Sequence, residues 1–171
     1  MRNTLLQGLR RPLTEAAPSS DDAELAALAA TVRQAAESAL GRSLSIRHVD
    51  AGSCNGCELE IHALGNAFYD LERFGFRFVA SPRHADVLLV TGPVTHNMRE
   101  ALKRTYDATP APKWVIASGV CAADGGIFAG SYAVAGGAST VVPVDLVISG
   151  CPPNPATLLR GLLALMTGKT K

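Results

Sequence analysis

A chain of 171 residues with 16 basic and 15 acidic side chains has a formal charge of +1, which gives no electrostatic case for a nucleic-acid partner or a broadly anionic one. At 47% hydrophobic and 18% charged it is composed like a globular protein, long enough to bury roughly 70% of its unfolded surface without help from disulfides. No run reaches the roughly 18 uninterrupted apolar residues of a membrane span, and a mean hydropathy of +0.17 leaves room for a buried partner surface.

The opening MRNTLLQGLRRPLT carries Arg2, Arg10 and Arg11 with no acid. It reads as a frayed basic end or a short amphipathic anchor, and it lacks the apolar core of a secretory signal. Glu15–Ser20, EAAPSS, reads as a linker. Ser20 or Asp21 can cap a helix running to about Leu40, with Leu25, Leu28 and Val32 on one face and Gly41 as its stop.

From Ser45 short strands alternate with helices. SIRHV (Ser45–Val49) is a strand, followed by a cysteine loop and a helix from about Glu58 to Arg73. FRFVA (Phe76–Ala80) and DVLLVTG (Asp86–Gly92) follow, the second apolar throughout, as a strand buried on both faces must be. Thr95 to about Thr105 is a helix; KWVIASG (Lys113–Gly119) and DLVISG (Asp145–Gly150) are strands. A closing helix, roughly Asn154 to Met166, follows prolines that suit its first turn. The alternation predicts an α/β, flavodoxin-like fold: a mostly parallel sheet with helices on both faces. The chain divides into an N-terminal extension, 1–44 (basic segment, linker and helix), and an α/β domain, 45–171.

All four cysteines follow predicted strand ends. Cys54 and Cys57 come after SIRHV, Cys121 after KWVIASG, and Cys151 after DLVISG. In an open parallel sheet these are the carboxyl ends, where such folds bind their ligands, and right-handed crossovers bring them to one edge. In an unexported chain, cysteines point to metal or redox chemistry rather than a disulfide framework. Four thiolates complete the ligand set of a 4Fe–4S cluster. A structural zinc uses the same ligands but usually as two close pairs. A thioredoxin-like pair would leave Cys121 and Cys151 unexplained, and four unrelated core cysteines would not share this placement. Gly52, Gly56, Gly119, Gly125, Gly126 and Gly150 flank the cysteines and let backbone N–H groups approach sulfur, unless they are plain turn residues. His62 and His96 read as structural histidines and Asp124 as a turn residue. TGPVTHN (Thr91–Asn97) holds no phosphate-binding motif and is placed beside the site, toward a partner.

Five ordered blocks, SCNGCELEI, RHADVLLVTGPV, ASGVCAADGGIF, SYAVAGG and VPVDLVISGCPPNP, together resemble the small electron-transfer subunit of membrane-bound, energy-converting (group 4) nickel–iron hydrogenases of the formate hydrogenlyase type. That family is similar to the 20 kDa, B-type subunit of respiratory complex I, and the resemblance spans roughly Ser45 to Met166. It implies one 4Fe–4S cluster on Cys54, Cys57, Cys121 and Cys151, with no catalytic residue in this chain and the nickel–iron centre in a partner large subunit. Glu60 matches an acidic position of these families and implies an interface or proton-transfer role, against the simpler reading of a solvated helix residue. The implied partners are the hydrogenase large subunit, a ferredoxin-like iron–sulfur subunit and integral membrane subunits. The implied place is peripheral, on the cytoplasmic face of the inner (plasma) membrane. Complex I subunits have adjacent cysteines at the first pair; here Gly56 precedes Cys57 and the other member is Cys54, which favours the hydrogenase branch. Uptake-hydrogenase small subunits carry more cysteines for further clusters; four cysteines suffice for one cluster, so electrons would leave through the ferredoxin-like subunit. The rival readings are the 20 kDa-type subunit of a complex I-like quinone oxidoreductase and, from another class, a zinc-stabilised interaction module.

Overall fold

The structure, a computed structural model, describes residues 22–167; the basic N-terminal segment, the linker and the expected cap at Ser20 or Asp21 lie outside the described residues. Helix α1 (Asp22–Leu40) ends at Gly41, whose φ of +67° suits glycine. Strand β1 (Ser45–Asp50), helix α2 (Gly56–Ala63), strands β2 (Arg77–Phe78), β3 (Val87–Thr91) and β4 (Val94–Thr95), and helix α3 (His96–Ala108) follow. The remaining elements are β5 (Trp114–Ser118), a short α4 (Val120–Asp124), β6 (Val134–Gly136), β7 (Leu146–Ile148) and α5 (Pro155–Met166).

The five-stranded sheet has the order β2-β1-β3-β5-β7 and is parallel at every pairing, as the strand–helix alternation predicts. The apolar run that forms β3 is buried at all of its positions, because successive side chains point to opposite faces and both faces are covered. On one face Val87 and Leu89 join Ile46, Ile116 and Ile148 beneath Val32 and Ala36 of α1, Ile61 of α2 and Leu158, Leu159 and Leu162 of α5. On the other, Leu88 and Val90 join Val115 and Ala117 with Leu102 of α3 and Ala122 of α4. Gly161 lets α5 lie directly on β7: a Cβ there would collide with Ile148.

Several elements differ from what the sequence predicts, the short α4 among them. The helix expected to reach Arg73 stops at Ala63, where the Gly65 N–H bonds the His62 carbonyl at 3.0 Å and Asn66 Oδ1 accepts from the Phe68 and Tyr69 N–H groups at 2.9 and 3.0 Å. An asparagine that satisfies backbone donors itself competes with helix continuation. The strand expected over Phe76–Ala80 shrinks to two residues at the sheet's edge. A small antiparallel pair, β4 with β6, adds to the expected strands. At the amino end of β3, buried Asp86 accepts from the Ser45 N–H at 2.9 Å and is clasped by both Nη atoms of Arg42, which locks the start of β1 to that of β3.

Ile116→Ala, a truncation at the fully buried centre of β5, is expected to lower the unfolding free energy by about 2–5 kcal/mol. Urea unfolding checks this, with the exposed Leu59→Ala as a control that moves the midpoint little.

Candidate metal centre

The loop after β1 is shaped by its own polar residues. The Asp50 carboxylate accepts from the Gly52 and Ser53 N–H groups at 2.8 Å each, and Asn55 takes a left-handed φ of +71°. Ser53 Oγ accepts from the Asn55 N–H at 3.0 Å and donates to Glu58 Oε2 at 2.5 Å. At the end of β3, Gly92 sits at φ +71° and a Cβ there would strike the Ser53 backbone. Only glycine lets the cysteine loop pass across the end of β3 toward β5 and β7.

The other two cysteine segments are joined by backbone. The Gly119 N–H bonds the Ile148 carbonyl at 2.8 Å and the Val120 N–H bonds that of Gly150 at 3.0 Å, which sets the start of α4, with Cys121, beside the turn that carries Cys151. Cys57 meets this pair: a Cβ on Gly119 would stand 2.8 Å from Cys57 Sγ and 3.4 Å from the Gly150 carbonyl oxygen. A Cβ on Gly126 would likewise stand 2.9 Å from Cys121 Sγ. Cys54 and Cys151 are exposed, and Cys57 and Cys121 are half-buried.

Electrostatics register the same proximity. Burial first, then the charges of Glu58 and of the Cys121, Cys54 and Cys151 thiolates, push the Cys57 thiol up to about 11. Burial and the Cys151 and Cys54 thiolates also raise Cys121, partly offset by a hydrogen bond from the Ile127 backbone N–H. Thiolates so placed repel one another and favour a bound cationic group. Among the described residues no three Cys, His, Asp or Glu side chains gather closely enough for a single metal ion.

Glu60 is half-buried on α2. His62 and His96 are exposed, and Asp124 Oδ1 accepts from the Gly126 N–H at 2.8 Å as a turn residue does. Glu58, which no motif singles out, is 6% exposed. Glu58 Oε1 lies 3.5 Å from His48 Nε2, which is itself 2.9 Å from Thr91 Oγ1. Burial lowers the His48 pKa against the opposing pull of Glu58 and Asp50, so the ring is neutral at neutral pH. The signal available in the sequence is spacing: Glu58 shares with Ile61 and Leu64 the i, i+3 stripe that α2 turns inward. Large apolar side chains that face solvent include Leu59, two residues after Cys57, at 63%, Ile127, just beyond the helix of Cys121, at 83%, and Tyr132 at 96% exposure.

Residues 54–165 match the family described as NADH ubiquinone oxidoreductase, 20 Kd subunit, a span that opens on Cys54 and takes in the other three cysteines. The chain belongs to this family. It is 48% identical over 124 residues to "Probable membrane-bound hydrogenase subunit mbhJ" of Pyrococcus furiosus, covering 72% of this chain and 74% of that one. It is 51% identical over 120 residues to formate hydrogenlyase subunit 7 of Escherichia coli, covering 70% of this chain and 47% of that protein's length. A chain in the structure of the membrane-bound sulfane sulfur reductase, an archaeal respiratory membrane complex, superposes with a TM-score of 0.66 at 36% identity, covering 81% of this chain and 74% of that one. Two of these three relatives thus carry names that place them in membrane-bound complexes, while none of this chain's described helices is long and apolar enough to cross a membrane.

In metal-free chain, iodoacetamide is expected to alkylate Cys54 and Cys151 first and Cys57 last. Because only the thiolate reacts, the Cys57 rate should climb about tenfold per pH unit until pH approaches its raised pKa. Peptide mass spectrometry across a pH series measures this.

Proposed function

We propose that this chain is the electron-transfer subunit of a membrane-bound nickel–iron hydrogenase complex, with Cys54, Cys57, Cys121 and Cys151 holding one 4Fe–4S cluster. The single observation that carries the reading is the meeting of three cysteine segments at the carboxyl edge of the sheet, with Cys57 Sγ against Gly119 and beside Gly150. The donor set fits the group: four thiols, two glycine positions where a side chain would fill the space next to sulfur, and a backbone N–H aimed at Cys121. When bound, the cluster supplies a carrier for single electrons.

The chain's own residues do the rest. The cysteines fix position and bring negative charge. Gly119 and Gly126 admit the backbone, and the Ile127 N–H adjusts the electron density on Cys121 sulfur. Leu59, Ile127 and Tyr132 offer apolar cover for a large subunit that holds the nickel–iron site, and Glu60 on α2 serves that interface as a hydrogen-bonding or proton-transfer group. A ferredoxin-like subunit exchanges electrons with the chain, and integral membrane subunits tether the assembly at the cytoplasmic face of the plasma membrane. The relatives named as membrane-bound hydrogenase and formate hydrogenlyase subunits, at 48% and 51% identity, support this over the quinone-linked reading that the family's description suggests. A zinc module is disfavoured by spacing: structural zinc usually takes its thiolates from two close pairs, and here only Cys54 and Cys57 are close in sequence.

Purified with its complex, the chain is expected to carry about four irons and matching acid-labile sulfide. Its reduced state should give a 4Fe–4S paramagnetic resonance signal, and the complex should evolve hydrogen from a reduced viologen. Zinc without iron, or quinone reduction without hydrogen evolution, would defeat the proposal. Cys151→Ser should reduce both the cluster signal and electron transfer, while a full signal with normal turnover would remove that residue from the ligand set.

Gly119→Ala is expected to lower cluster occupancy at least severalfold. It forces a Cβ to 2.8 Å from Cys57 Sγ at a φ of +88°. Iron content per chain, compared with that of the open-surface Gly130→Ala, reads the effect.

A further inference from the structure

Opposite the cysteines, the amino ends of the strands gather a second set of charged side chains. Arg42 precedes β1, Arg77 opens β2, and Arg83 and His84 lie in the 3₁₀ turn that leads to β3. Together with Ala85 and Pro110 they line a cavity of about 300 Å³, roughly ten times the share of liquid volume that one water takes. Parallel register builds this cavity, since Ser45 pairs with Arg77 and Ile46 with both Phe78 and Val87.

The three guanidinium groups are not equivalent. Arg42 is held by both Nη atoms on buried Asp86 and is neutralised there. Arg77 is oriented by its Nε, which donates to Ser45 Oγ at 3.2 Å and leaves its outer nitrogens unused by that bond. Neither Arg77 nor Arg83 forms an ion pair with an acidic side chain among the described residues. The cavity therefore holds an excess of about two positive charges before any contribution from His84, a local imbalance hidden by the chain's overall +1.

We infer that this cavity binds a phosphate group. A guanidinium is a planar fork that meets two oxygens at once. One fork satisfies a carboxylate, whereas two uncompensated forks on separate elements suit a tetrahedral oxyanion of higher charge. The group belongs either to a soluble phosphate compound or to a phospholipid headgroup, and the chemistry at the cavity is the same. The site lies at the far end of the sheet from Cys54, Cys57, Cys121 and Cys151, so it stands or falls independently of the cluster.

The test titrates the full chain with inorganic phosphate by calorimetry and measures its retention on vesicles of phosphatidylcholine with and without phosphatidylglycerol. Saturable phosphate binding is expected, about tenfold or more weaker in R83Q and in R77Q, and only partly weakened in R83K, which keeps charge but loses the fork. Both arginines are exposed, so circular dichroism of the variants should match the parent. Retention on the anionic vesicles that is lost in R77Q/R83Q and displaced by inorganic phosphate makes the source a headgroup; phosphate binding without such retention makes it a soluble compound. Absence of saturable phosphate binding, or binding unchanged by both Gln variants, overturns the proposal.

Discussion

Ionising one thiol beside another is costly, and the cysteine edge of this sheet is built under that constraint. Burial first, and then their sulfur neighbours, raise Cys57 and Cys121, so the cysteine edge adds nothing to the fold as neutral thiols and opposes it once alkaline pH ionises them. Stability must come from elsewhere. It comes from β3, buried at every position, and from two apolar layers that cover both faces of the sheet. The cysteines hang from strand ends whose positions are already fixed by burial of Val87–Thr91, Val115–Ser118 and Ile148.

Close backbone approach is the means. Gly92 lets the loop of Ser53 cross the end of β3, and Gly119 leaves space for Cys57 sulfur. Each sits at a positive φ that other L-residues resist. Polar side chains then set the loop without touching sulfur: Asp50 caps Gly52 and Ser53, and Ser53 links to Glu58. Burying Glu58 carries a cost unless its oxygens are satisfied. One is, by Ser53; the other has only the longer contact to His48.

Much of this is legible in the sequence, for identifiable reasons. DVLLVTG announces a doubly buried strand because no solvent-facing residue interrupts it, and strand ends located that way predict where the cysteines fall. Asn154 capping α5 through a 2.8 Å bond from the Thr157 N–H is also readable, since asparagine before proline is a start signal. What escapes depends on local competition or on distance. The early end of α2 turns on one side chain, Asn66, outcompeting helical hydrogen bonding. Two-residue strands such as β2 and β4 are too short for periodicity to mark. Glu58 looks like an ordinary surface acid until its place on the stripe of Ile61 and Leu64 is noticed. The arginines at the amino ends are separated in sequence and meet only through sheet register.

Ile127 and Tyr132, left almost wholly in water on the loop after α4, carry a consequence for the life of the polypeptide. A newly made copy that has not met its neighbours displays greasy side chains, the sort of surface that chaperones and proteases patrol. Mass action then makes longevity a function of company: copies in stoichiometric surplus are short-lived, and those that dock are protected. The same few residues thereby couple the abundance of this chain to the supply of whatever covers them.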